Sequence, residues 1–475
     1  MKREFKKVGF PVAIVIFLIV AAIMAVGLAI LKLNTMVTFL LAFIAMGVIA
    51  AILGMTLDDI QEHVLTGFKK CALVAMIMIS VGMIVGSWMI SGVIPSIIYY
   101  GLKIFTPASF LPIGFVVCCI VSFFTGSAYS ALGTMGVAFM AIGYGMGINP
   151  ALTAGMAVSG AIFGDKMSPF SDTTNMAPAA AGTDVFTHIR SMLWTIVPAF
   201  TLSVILYFIM GLKYSGATEE SLATIQEVMD VIADNFNIHI WLLLIPIITI
   251  VLVIKKVPAM VALIIGAILG VVVGLITQPQ FTFQQIVTSM ATGFSGDFEN
   301  AAVNRLLNRG GISSMLNTVV YCLLTLELGE LMYQMGVLEA VLGKIHRLIQ
   351  RPANLIITTL ASCLITVMLT TSQYMAILLP GEVFQEQYKK AKVAPYVLSR
   401  TLEDGGTVFA FLVPWSAAAI YTYGVLEVSA MQYLPYAFLP ILCPIFAIVL
   451  ALTGFGVYDT DNNSLKGKTL QKIEA

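Results

Sequence analysis

The sequence predicts an all-α polytopic membrane protein, built from two inverted-topology repeats that each contain a re-entrant hairpin and a broken transmembrane helix. The first observation is composition. Of the 475 residues, 59% are hydrophobic and only 11% are charged, against about 25% charged residues in soluble domains. The second is a series of apolar runs near the roughly 20 residues that cross a bilayer. The third is that the polar segments interrupting these runs occur twice along the chain.

About ten apolar runs are predicted to be full spans, because each approaches the length that crosses the hydrocarbon core. They are 8–31, 36–55, 71–100, 150–181 (broken), 191–212, 238–254, 257–277, 311–335, 396–424 (broken) and 429–453. Two further regions, 109–147 and 353–388, have apolar arms separated by short polar tips. We expect both regions to be re-entrant hairpins. Two full spans in each region is the alternative, and it leaves the rest of the topology unchanged.

The distribution of basic residues predicts that both termini are cytoplasmic and that the protein lies in the cell (inner) membrane. The basic start, 1–7, precedes an apolar run that is too long for a signal-peptide core, so we expect an uncleaved first span. A cytoplasmic N-terminus places most of the 25 lysines and arginines inside, as the positive-inside rule requires. The acidic linker 213–237 then lies outside, where its carboxylates are expected to form a solvated helix face.

Internal repetition indicates two halves. Thr56–Phe68 recurs at Thr282–Phe294 with an offset of 226 residues, and Thr125–Gly136 recurs at Thr370–Gly381 with an offset of 245. The extra segment 295–311 accounts for the difference. In the predicted topology the first copy begins outside and the second inside, so the repeats are inverted. Inverted repeats with discontinuous helices are typical of secondary transporters.

These observations divide the chain into five parts. The predicted divisions are an extra N-terminal span (1–35), a first repeat (36–212), an acidic linker with a connecting span (213–256), a second repeat (257–453) and a cytoplasmic tail (454–475). The polar interruptions of the two repeats are expected to pair. The segment 164–175 should correspond to Glu403–Thr407, which also interrupts an apolar run.

Gly164–Asn175 is the leading candidate for an ion site. It places carboxylates, hydroxyls and an amide between two apolar runs. A carboxylate at bilayer depth costs about 2.5–3.5 kcal/mol on insertion scales and is therefore rarely present without a function. Pro169 should break the helix, and a broken helix is tolerated in the membrane where it lines a cavity or is buried. Hard oxygen ligands suit Na⁺, so we expect Asp165, Asp172, Thr173 and Asn175 to bind Na⁺ or a proton.

Asp172 is the leading residue of this set, because Ser171, Thr173 and Asn175 surround it with oxygen atoms. Its alternative role is simply to cap the helix that restarts after Pro169, since aspartate caps helix N-termini well. Asp165 and Lys166 have a comparable alternative, a structural ion pair within an unwound segment.

Further candidates are weighed against structural roles. The hairpin-tip residues Ser127, Ser372 and Gln373 are predicted cation or proton ligands, although they would also satisfy loop backbone. Glu403 and Asp404 are predicted ligands too, with a position at the cytoplasmic mouth near Arg400 as the alternative. Lys166 is expected to balance charge. Glu327 and Glu330 share a helix face at i, i+3, where a proton path and a structural role are equally supported.

Three stretches carry a family resemblance. The run from Phe124–Ser127 through Gly164–Pro178 to Ala181–Ile189 resembles the NhaC family of Na⁺/H⁺ antiporters. The match is dense over 120–200. The resemblance implies paired hairpins, broken helices and cation coupling at Asp165, Asp172, Thr173 and Asn175. Some members of the wider superfamily exchange organic solutes, such as malate for lactate or amino acids, so the resemblance does not determine the substrate.

The sequence therefore favours a secondary active antiporter that exchanges Na⁺ for H⁺ by alternating access. The alternative is a Na⁺/H⁺-coupled exchanger of organic acids, of the malate/lactate type, or of amino acids. No hydrolytic triad or ATP site is recognisable, so no enzyme and no cofactor is expected. Expected partners are Na⁺, H⁺ and the lipid bilayer, with a small organic anion or amino acid under the alternative. A homodimer is compatible with the sequence, and the zero formal net charge gives no indication of a nucleic-acid partner.

Overall fold

The computed structural model describes residues 7–31, 33, 35–214, 219–255, 257–298, 304, 307–308, 310–345 and 351–469. Most of the basic N-terminal arm, the end of the tail (470–475) and part of the extra segment 295–311 therefore lie outside the described residues. Within these ranges the regular structure is helical, apart from two isolated β-bridges, one within the C-terminal segment and one between that segment and Val393. The prediction of an all-α protein is confirmed.

The helices are numbered here in chain order. They are α1 (Phe10–Ala25), α2 (Thr35–Ile52), α3 (Leu57–Ile90), α4 (Val93–Ile104), α5 (Pro107–Thr125), α6 (Ala128–Ala131), α7 (Val137–Gly145), α8 (Pro150–Met167), α9 (Asp172–Ala181), α10 (Val185–Leu212), α11 (Glu219–Asn235), α12 (Leu244–Ile254), α13 (Ala259–Thr277), α14 (Phe283–Thr292), α15 (Ile312–Gln334), α16 (Val337–Ile345), α17 (Pro352–Thr370), α18 (Gln373–Lys390), α19 (Pro395–Ala410), α20 (Ala417–Leu426), α21 (Ala430–Tyr433) and α22 (Phe438–Thr453).

Six helices in the described part of the chain are long and apolar enough to cross a membrane, or up to eight if each sharply bent pair forms one span. The chain is thus a multi-pass membrane protein. The predicted span 429–453 is a pair of helices bent by 64°, and the predicted span 71–100 has different bounds. Instead of starting at 71, α3 starts at Leu57 and runs for 34 residues, because Thr56 and Asp59 form a capping box at its N-terminus. Gly92, in the left-handed conformation, separates it from α4.

Each region predicted as a hairpin folds as two helical arms joined at the polar tip. Gly126 (φ 66°) separates α5 from α6, and Thr371 (φ 58°) separates α17 from α18. Ser127 and Ser372 then cap the returning arms by accepting hydrogen bonds from the N–H groups of Ser130 and Met375. The left-handed conformation is rare for a residue with a side chain.

Two broken helices flank the hairpins. The first break, Ser168–Ser171, separates α8 from α9 at Pro169, as expected. The second break lies elsewhere than predicted. Glu403–Thr407 is helical within α19, and the break is at 411–416, where Pro414 interrupts the chain. Gly405 and Gly406 serve close packing instead, since a Cβ at either position would lie 2.6 Å from a side chain of α17 or α18.

The helix pattern itself repeats at an offset of 245 residues. The pairs α5 and α17, α8 and α19, and α9 and α20 begin at positions related by this offset. Left-handed residues follow the same rule: Gly126 and Thr371, Gly147 and Lys392, Gly182 and Glu427. The breaks agree as well, because Pro169-Phe170-Ser171 corresponds to Pro414-Trp415-Ser416. The two halves therefore share one succession of turns and helices.

The remaining long helices form the scaffold around these elements. α13 packs on α3, and α2 packs on α15. α8 contacts α19, and α10 and α22 pack on both helices. Asp165, Lys166, Glu403 and Asp404 are thereby buried among apolar helices.

Candidate functional site

The end of α8 sets the geometry of the candidate site. Pro169 prevents the helix from continuing, which leaves carbonyl groups of its last turn without helical partners. The hydroxyl of Thr174 donates to the carbonyl oxygens of Asp165 and Lys166, at 2.7 and 3.1 Å. The Asn175 amide donates to the carbonyls of Pro169 and Ser171. These bonds hold the break rigidly, so Asp165 and Ser171 approach each other.

Two buried carboxylates are joined through two hydroxyl groups. Ser171 Oγ donates to Asp165 Oδ1 at 2.7 Å, and Thr173 Oγ1 donates to Glu403 Oε1 at 2.9 Å. The two hydroxyl oxygens are themselves 3.0 Å apart. Asp165 is 4% exposed and Glu403 has no exposed surface. This group of four residues, which we call the hydroxyl bridge, links α8 and α9 to α19.

The hydroxyl bridge contains three oxygen–oxygen contacts but only two hydroxyl hydrogens. Each hydroxyl has one hydrogen to donate. When both carboxylates are ionised, the hydroxyls of Ser171 and Thr173 donate their hydrogens to Asp165 and Glu403. Lone pairs of the two hydroxyl oxygens then face each other. A proton on either carboxyl group can donate to the adjacent hydroxyl, which then turns its own hydrogen toward the other hydroxyl. The arrangement therefore favours one added positive charge.

Each carboxylate of the hydroxyl bridge also has an oxygen available for a ligand. Among the described residues, no donor reaches Asp165 Oδ2 or Glu403 Oε2. Both atoms are buried, and a buried charged oxygen without a partner is costly. Carboxylate and hydroxyl oxygens are suitable ligands for a hard cation. The site can accept either a proton or a small cation.

An ion pair lies beside the hydroxyl bridge. Lys166 Nζ contacts Asp404 Oδ1 at 2.5 Å, and neither side chain has exposed surface. Thr195 Oγ1, from α10, donates to the same oxygen at 3.0 Å. The pair is electrically neutral, so it leaves the net charge of the hydroxyl bridge uncompensated. Glu403 and Asp404 thus lie inside the protein and not at a cytoplasmic mouth.

A second buried cation lies on α19, one turn before Asp404. Arg400 is 1% exposed, and its Nη1 donates to the carbonyl of Gly456 at 2.9 Å. Its neighbour Ser399 contacts Nδ1 of the fully buried His188 at 2.9 Å. The C-terminal segment therefore packs on the end of α19 that carries Arg400.

A cavity of 610 Å³ lies against the first break, on the side that carries Phe170 and Asp172. Asp172 and Asn175 line it, together with Ser127 from the first hairpin tip and Tyr374 from the second hairpin. Asp172 is exposed, and the helix N-cap is Ser171 and not Asp172. The structure thus places Asp172 and Asn175 in an open cavity, and Asp165 and Thr173 in the buried hydroxyl bridge.

The other predicted candidates lie apart from the hydroxyl bridge. Ser372 caps α18, while the buried Gln373 has an Oε1 atom that no described donor reaches. Glu330 pairs with Lys70 at 2.5 Å and accepts from Gln334 at 2.8 Å. Glu327 packs against Gly67 of α3. These glutamates therefore join α15 to α3.

Sequence reasoning missed three buried polar residues near the site: Thr195, His188 and Arg400. Thr195 stands in an otherwise apolar run, and no spacing in the sequence connects it to Asp404. His188 lies in the first turn of α10, and its sequence neighbours give no indication of its contact with Ser399. Arg400 was considered only as a neighbour of Glu403. All three contacts depend on tertiary packing.

A multi-pass helical fold with two broken helices and buried carboxylates is typical of membrane transport proteins. Comparison with known proteins agrees. The sequence profile of the Na⁺/H⁺ antiporter family matches residues 5–174 and 160–455. The chain belongs to the Na⁺/H⁺ antiporter family, and the resemblance noted in the sequence is confirmed.

Individual relatives cover nearly the whole chain. The chain is 34% identical over 452 residues to the Na⁺/H⁺ antiporter NhaC of Alkalihalophilus pseudofirmus, covering 95% of this chain and 97% of that protein. It is 34% identical over 428 residues to the malate-2H⁺/Na⁺-lactate antiporter of Bacillus subtilis, covering 90% and 91%. It is 30% identical over 440 residues to the arginine/ornithine antiporter ArcD of Halobacterium salinarum, covering 92% and 90%.

Proposed function

We propose that this protein exchanges Na⁺ for H⁺ by alternating access and that the hydroxyl bridge is the site where the two ions compete. The NhaC relative supports Na⁺/H⁺ exchange as the activity. The observation that carries the site is the pair of buried carboxylates, Asp165 and Glu403, joined through the hydroxyls of Ser171 and Thr173.

Competition follows from the count of hydrogens in the hydroxyl bridge. The doubly ionised bridge lacks one hydrogen between its hydroxyls, and a proton supplies it. Na⁺ supplies the same positive charge differently, by taking lone pairs of both hydroxyls and the spare carboxylate oxygens as ligands. Both ions relieve the same electrostatic cost, so binding of one disfavours the other. This mutual exclusion is the requirement for exchange at a single site.

The Lys166–Asp404 pair has a separate role in this proposal. Because the pair is neutral and fully buried, it fixes α8 against α19 without competing for the transported cation. Asp172 acts earlier, at the cavity, where its exposed carboxylate attracts cations toward the break. Thus Asp165 and Glu403 bind the transported ion, and Asp172 and Asn175 line its approach.

The location and orientation follow from the charge distribution. We place the protein in the cell membrane with both termini in the cytoplasm, as the positive-inside rule favours. The turn between α12 and α13, which borders the cavity at Val257 and Pro258, is then cytoplasmic. In this orientation the cavity opens inward. A homodimer in the membrane stays a prediction, and chemical crosslinking in native membranes tests it.

A second function is exchange coupled to an organic solute. The observation that favours it is the size of the cavity, since 610 Å³ exceeds the space a bare Na⁺ ion needs. Relatives named as malate/lactate and arginine/ornithine antiporters make both organic acids and amino acids reasonable test solutes. Because the side chain of Asp172 is a carboxylate, a solute bound beside it would place an ammonium group there more readily than a carboxylate.

The deciding experiment uses purified protein in liposomes under an imposed pH gradient. Lumenal pH and ²²Na⁺ uptake are recorded together, with and without malate, lactate, arginine and ornithine. We expect Na⁺ alone to drive proton movement. Proton movement that requires one of the solutes would instead establish the second function.

Variants identify the site in the same assay. Glu403→Gln and Asp165→Asn keep the size of each side chain but remove a charge, so we expect each to abolish exchange. Glu339→Gln is the control, since Glu339 is a half-exposed carboxylate whose partner is Lys7. Full exchange by folded Glu403→Gln would remove Glu403 from the site.

A further inference from the structure

The aromatic residues of the two breaks occupy corresponding positions but opposite environments. Phe170 and Trp415 are related by the offset of 245 residues, and each follows the proline that ends a helix. Phe170 lines the open cavity and is 52% exposed. Trp415 is partly buried and borders two spaces of 290 and 340 Å³ that share Met24 and Phe39 as lining residues. We call these two spaces together the Trp415 chamber.

The Trp415 chamber is built from the counterparts of the elements around the cavity. The cavity is bordered by the first hairpin tip, the first break, α3 and the turn between α12 and α13. The chamber is bordered by the second hairpin tip, the second break, α15 and the pair α1 and α2. In the topology predicted from the sequence, Ser429–Met431 at the chamber is external, whereas Val257 and Pro258 at the cavity are cytoplasmic.

The lining of the two spaces differs in polarity. Asp172 corresponds to Ala417, and Asn175 corresponds to Ile420. Asn175 is exposed to the cavity, whereas Ile420 is 5% exposed. Leu369 and Trp415 at the chamber correspond to Phe124 and Phe170 at the cavity, so these positions are apolar in both spaces, and the difference in polarity comes from the positions of Asp172 and Asn175. An apolar space of this size is unfavourable for a hydrated ion.

Trp415 is hydrogen-bonded to the second hairpin. Its Nε1 donates to the carbonyl oxygen of Met368 in the second hairpin, at 2.9 Å. The adjacent N–H of Ala417 donates to the carbonyl of Thr371 at the hairpin tip, at 3.0 Å. These two hydrogen bonds join the second break to the second hairpin.

We propose that the Trp415 chamber is the external access route in its closed state and that Trp415 is the residue that positions the gate. This inference rests on the alternating access of the proposed function and names the second route. Release of the indole from Met368 separates the second break from its hairpin and opens the chamber. By the correspondence of the halves, Phe170 then closes on the first hairpin tip, where Gly126 already lies against its backbone.

The test compares accessibility at two corresponding positions. Asn175→Cys and Ile420→Cys are labelled separately with a membrane-impermeant maleimide in right-side-out and inside-out vesicles. Unmodified protein gives the background, because its six cysteines are buried. We expect Asn175→Cys to react from the cytoplasmic side and Ile420→Cys from the external side only. Changing Na⁺ concentration or pH should raise one rate as it lowers the other.

A substitution at the gate tests the role of Trp415. Trp415→Phe keeps an aromatic ring but removes the donor to Met368, so we expect at least a threefold rise in labelling of Ile420→Cys and a fall at Asn175→Cys. Trp88→Phe is the matched control. Trp88 Nε1 likewise donates to a backbone carbonyl, that of Gly266 at 2.9 Å, but it lies outside the chamber. The control should leave the ratio of the two labelling rates unchanged.

The outcomes separate this inference from the proposed function. Labelling of Ile420→Cys from the cytoplasmic side, from neither side under any condition, or in parallel with Asn175→Cys would overturn the chamber as the external route. An unchanged ratio in Trp415→Phe would remove Trp415 as its gate. Labelling does not depend on which solute moves, so a failure of Na⁺/H⁺ exchange in liposomes would contradict the proposed function alone.

Discussion

Lys166 of α8 and Asp404 of α19 form an ion pair with 2.5 Å between Nζ and Oδ1, and neither side chain has exposed surface. Thr195 of α10 donates to the same aspartate oxygen. A buried pair is costly to assemble but still more costly to break, because the remaining partner becomes an uncompensated charge. The contact therefore makes the relative position of α8 and α19 sensitive to a single side chain.

Lys166→Met should destabilise the protein strongly. Removal of one partner of a buried pair costs about 3–5 kcal/mol, whereas replacement of both partners by apolar groups is often neutral. We therefore expect a large loss of thermal stability in detergent for Lys166→Met and recovery of most of it in Lys166→Met/Asp404→Leu.

The surface pair Lys390–Glu386 provides the control for this prediction. Its side chains are 70% and 71% exposed, and exposed pairs contribute about 0–1 kcal/mol. Lys390→Met should therefore melt close to the unmodified protein. A double variant no more stable than Lys166→Met would show that the charge imbalance is not the cause.

Thr173→Val should weaken Na⁺ binding while the protein stays folded. The substitution keeps the shape of the side chain but removes the hydroxyl between Ser171 and Glu403. A hydrogen bond to a charged group contributes about 1.5–3 kcal/mol, so we expect the Na⁺ concentration for half-maximal exchange to rise at least tenfold. Thr173→Ser keeps the hydroxyl and should stay within about threefold of the unmodified protein. Equal behaviour of the two variants would contradict the hydroxyl bridge.

Asp172→Asn should affect the approach of the ion more than its binding. Asp172 is exposed in the cavity, where its charge acts over distance and is screened by salt. We expect a higher Na⁺ requirement at low ionic strength, a smaller difference at high ionic strength, and a maximal rate near that of the unmodified protein. Asp172→Glu should behave normally. Complete loss of exchange in folded Asp172→Asn would instead place Asp172 among the direct ligands.

Gly164→Ala should destabilise the contact between α5 and α8. A Cβ at Gly164 would lie 2.1 Å from backbone atoms of Phe123 and Ser122, which cannot move aside without shifting α5. Gly47→Ala in α2 is the matched control, because its Cβ would meet nothing within 4 Å. Alanine in a helix interior is otherwise favoured over glycine by about 1 kcal/mol. We expect lower thermal stability for Gly164→Ala and equal or higher stability for Gly47→Ala.

Breaks and turns could be predicted from the sequence where a single residue determines the local backbone conformation. Pro169 marks the first break, and the polar tips mark the turns at Gly126 and Thr371. The second break was misplaced because Glu403–Thr407 interrupts an apolar run, whereas this segment is helical within α19, where Gly405 and Gly406 permit close packing. Pro414-Trp415-Ser416 repeats Pro169-Phe170-Ser171, and that signal would have located it.

The candidate site was predictable only in part, for a different reason. Asp165 and Thr173 lie on one short segment and were found together with Glu403 as polar residues in apolar surroundings. Which carboxylates are buried depends on how α8, α9 and α19 pack, and sequence spacing carries no information on that packing. Asp172 ranked first because it has the most oxygen-bearing neighbours in sequence, yet its side chain turns to the cavity.

The hydroxyl bridge divides its parts between two stretches of chain that are far apart. Asp165, Ser171 and Thr173 come from one half, and Glu403 comes from the other, as does Thr407, which also donates to Glu403 at 2.9 Å. Neither half contains a complete set of ligands, so fragments produced by separating the chain between α10 and α11 should each be inert. Co-expression of both fragments should restore exchange by complementation, since the ion assembles its ligands only where the two polypeptides meet.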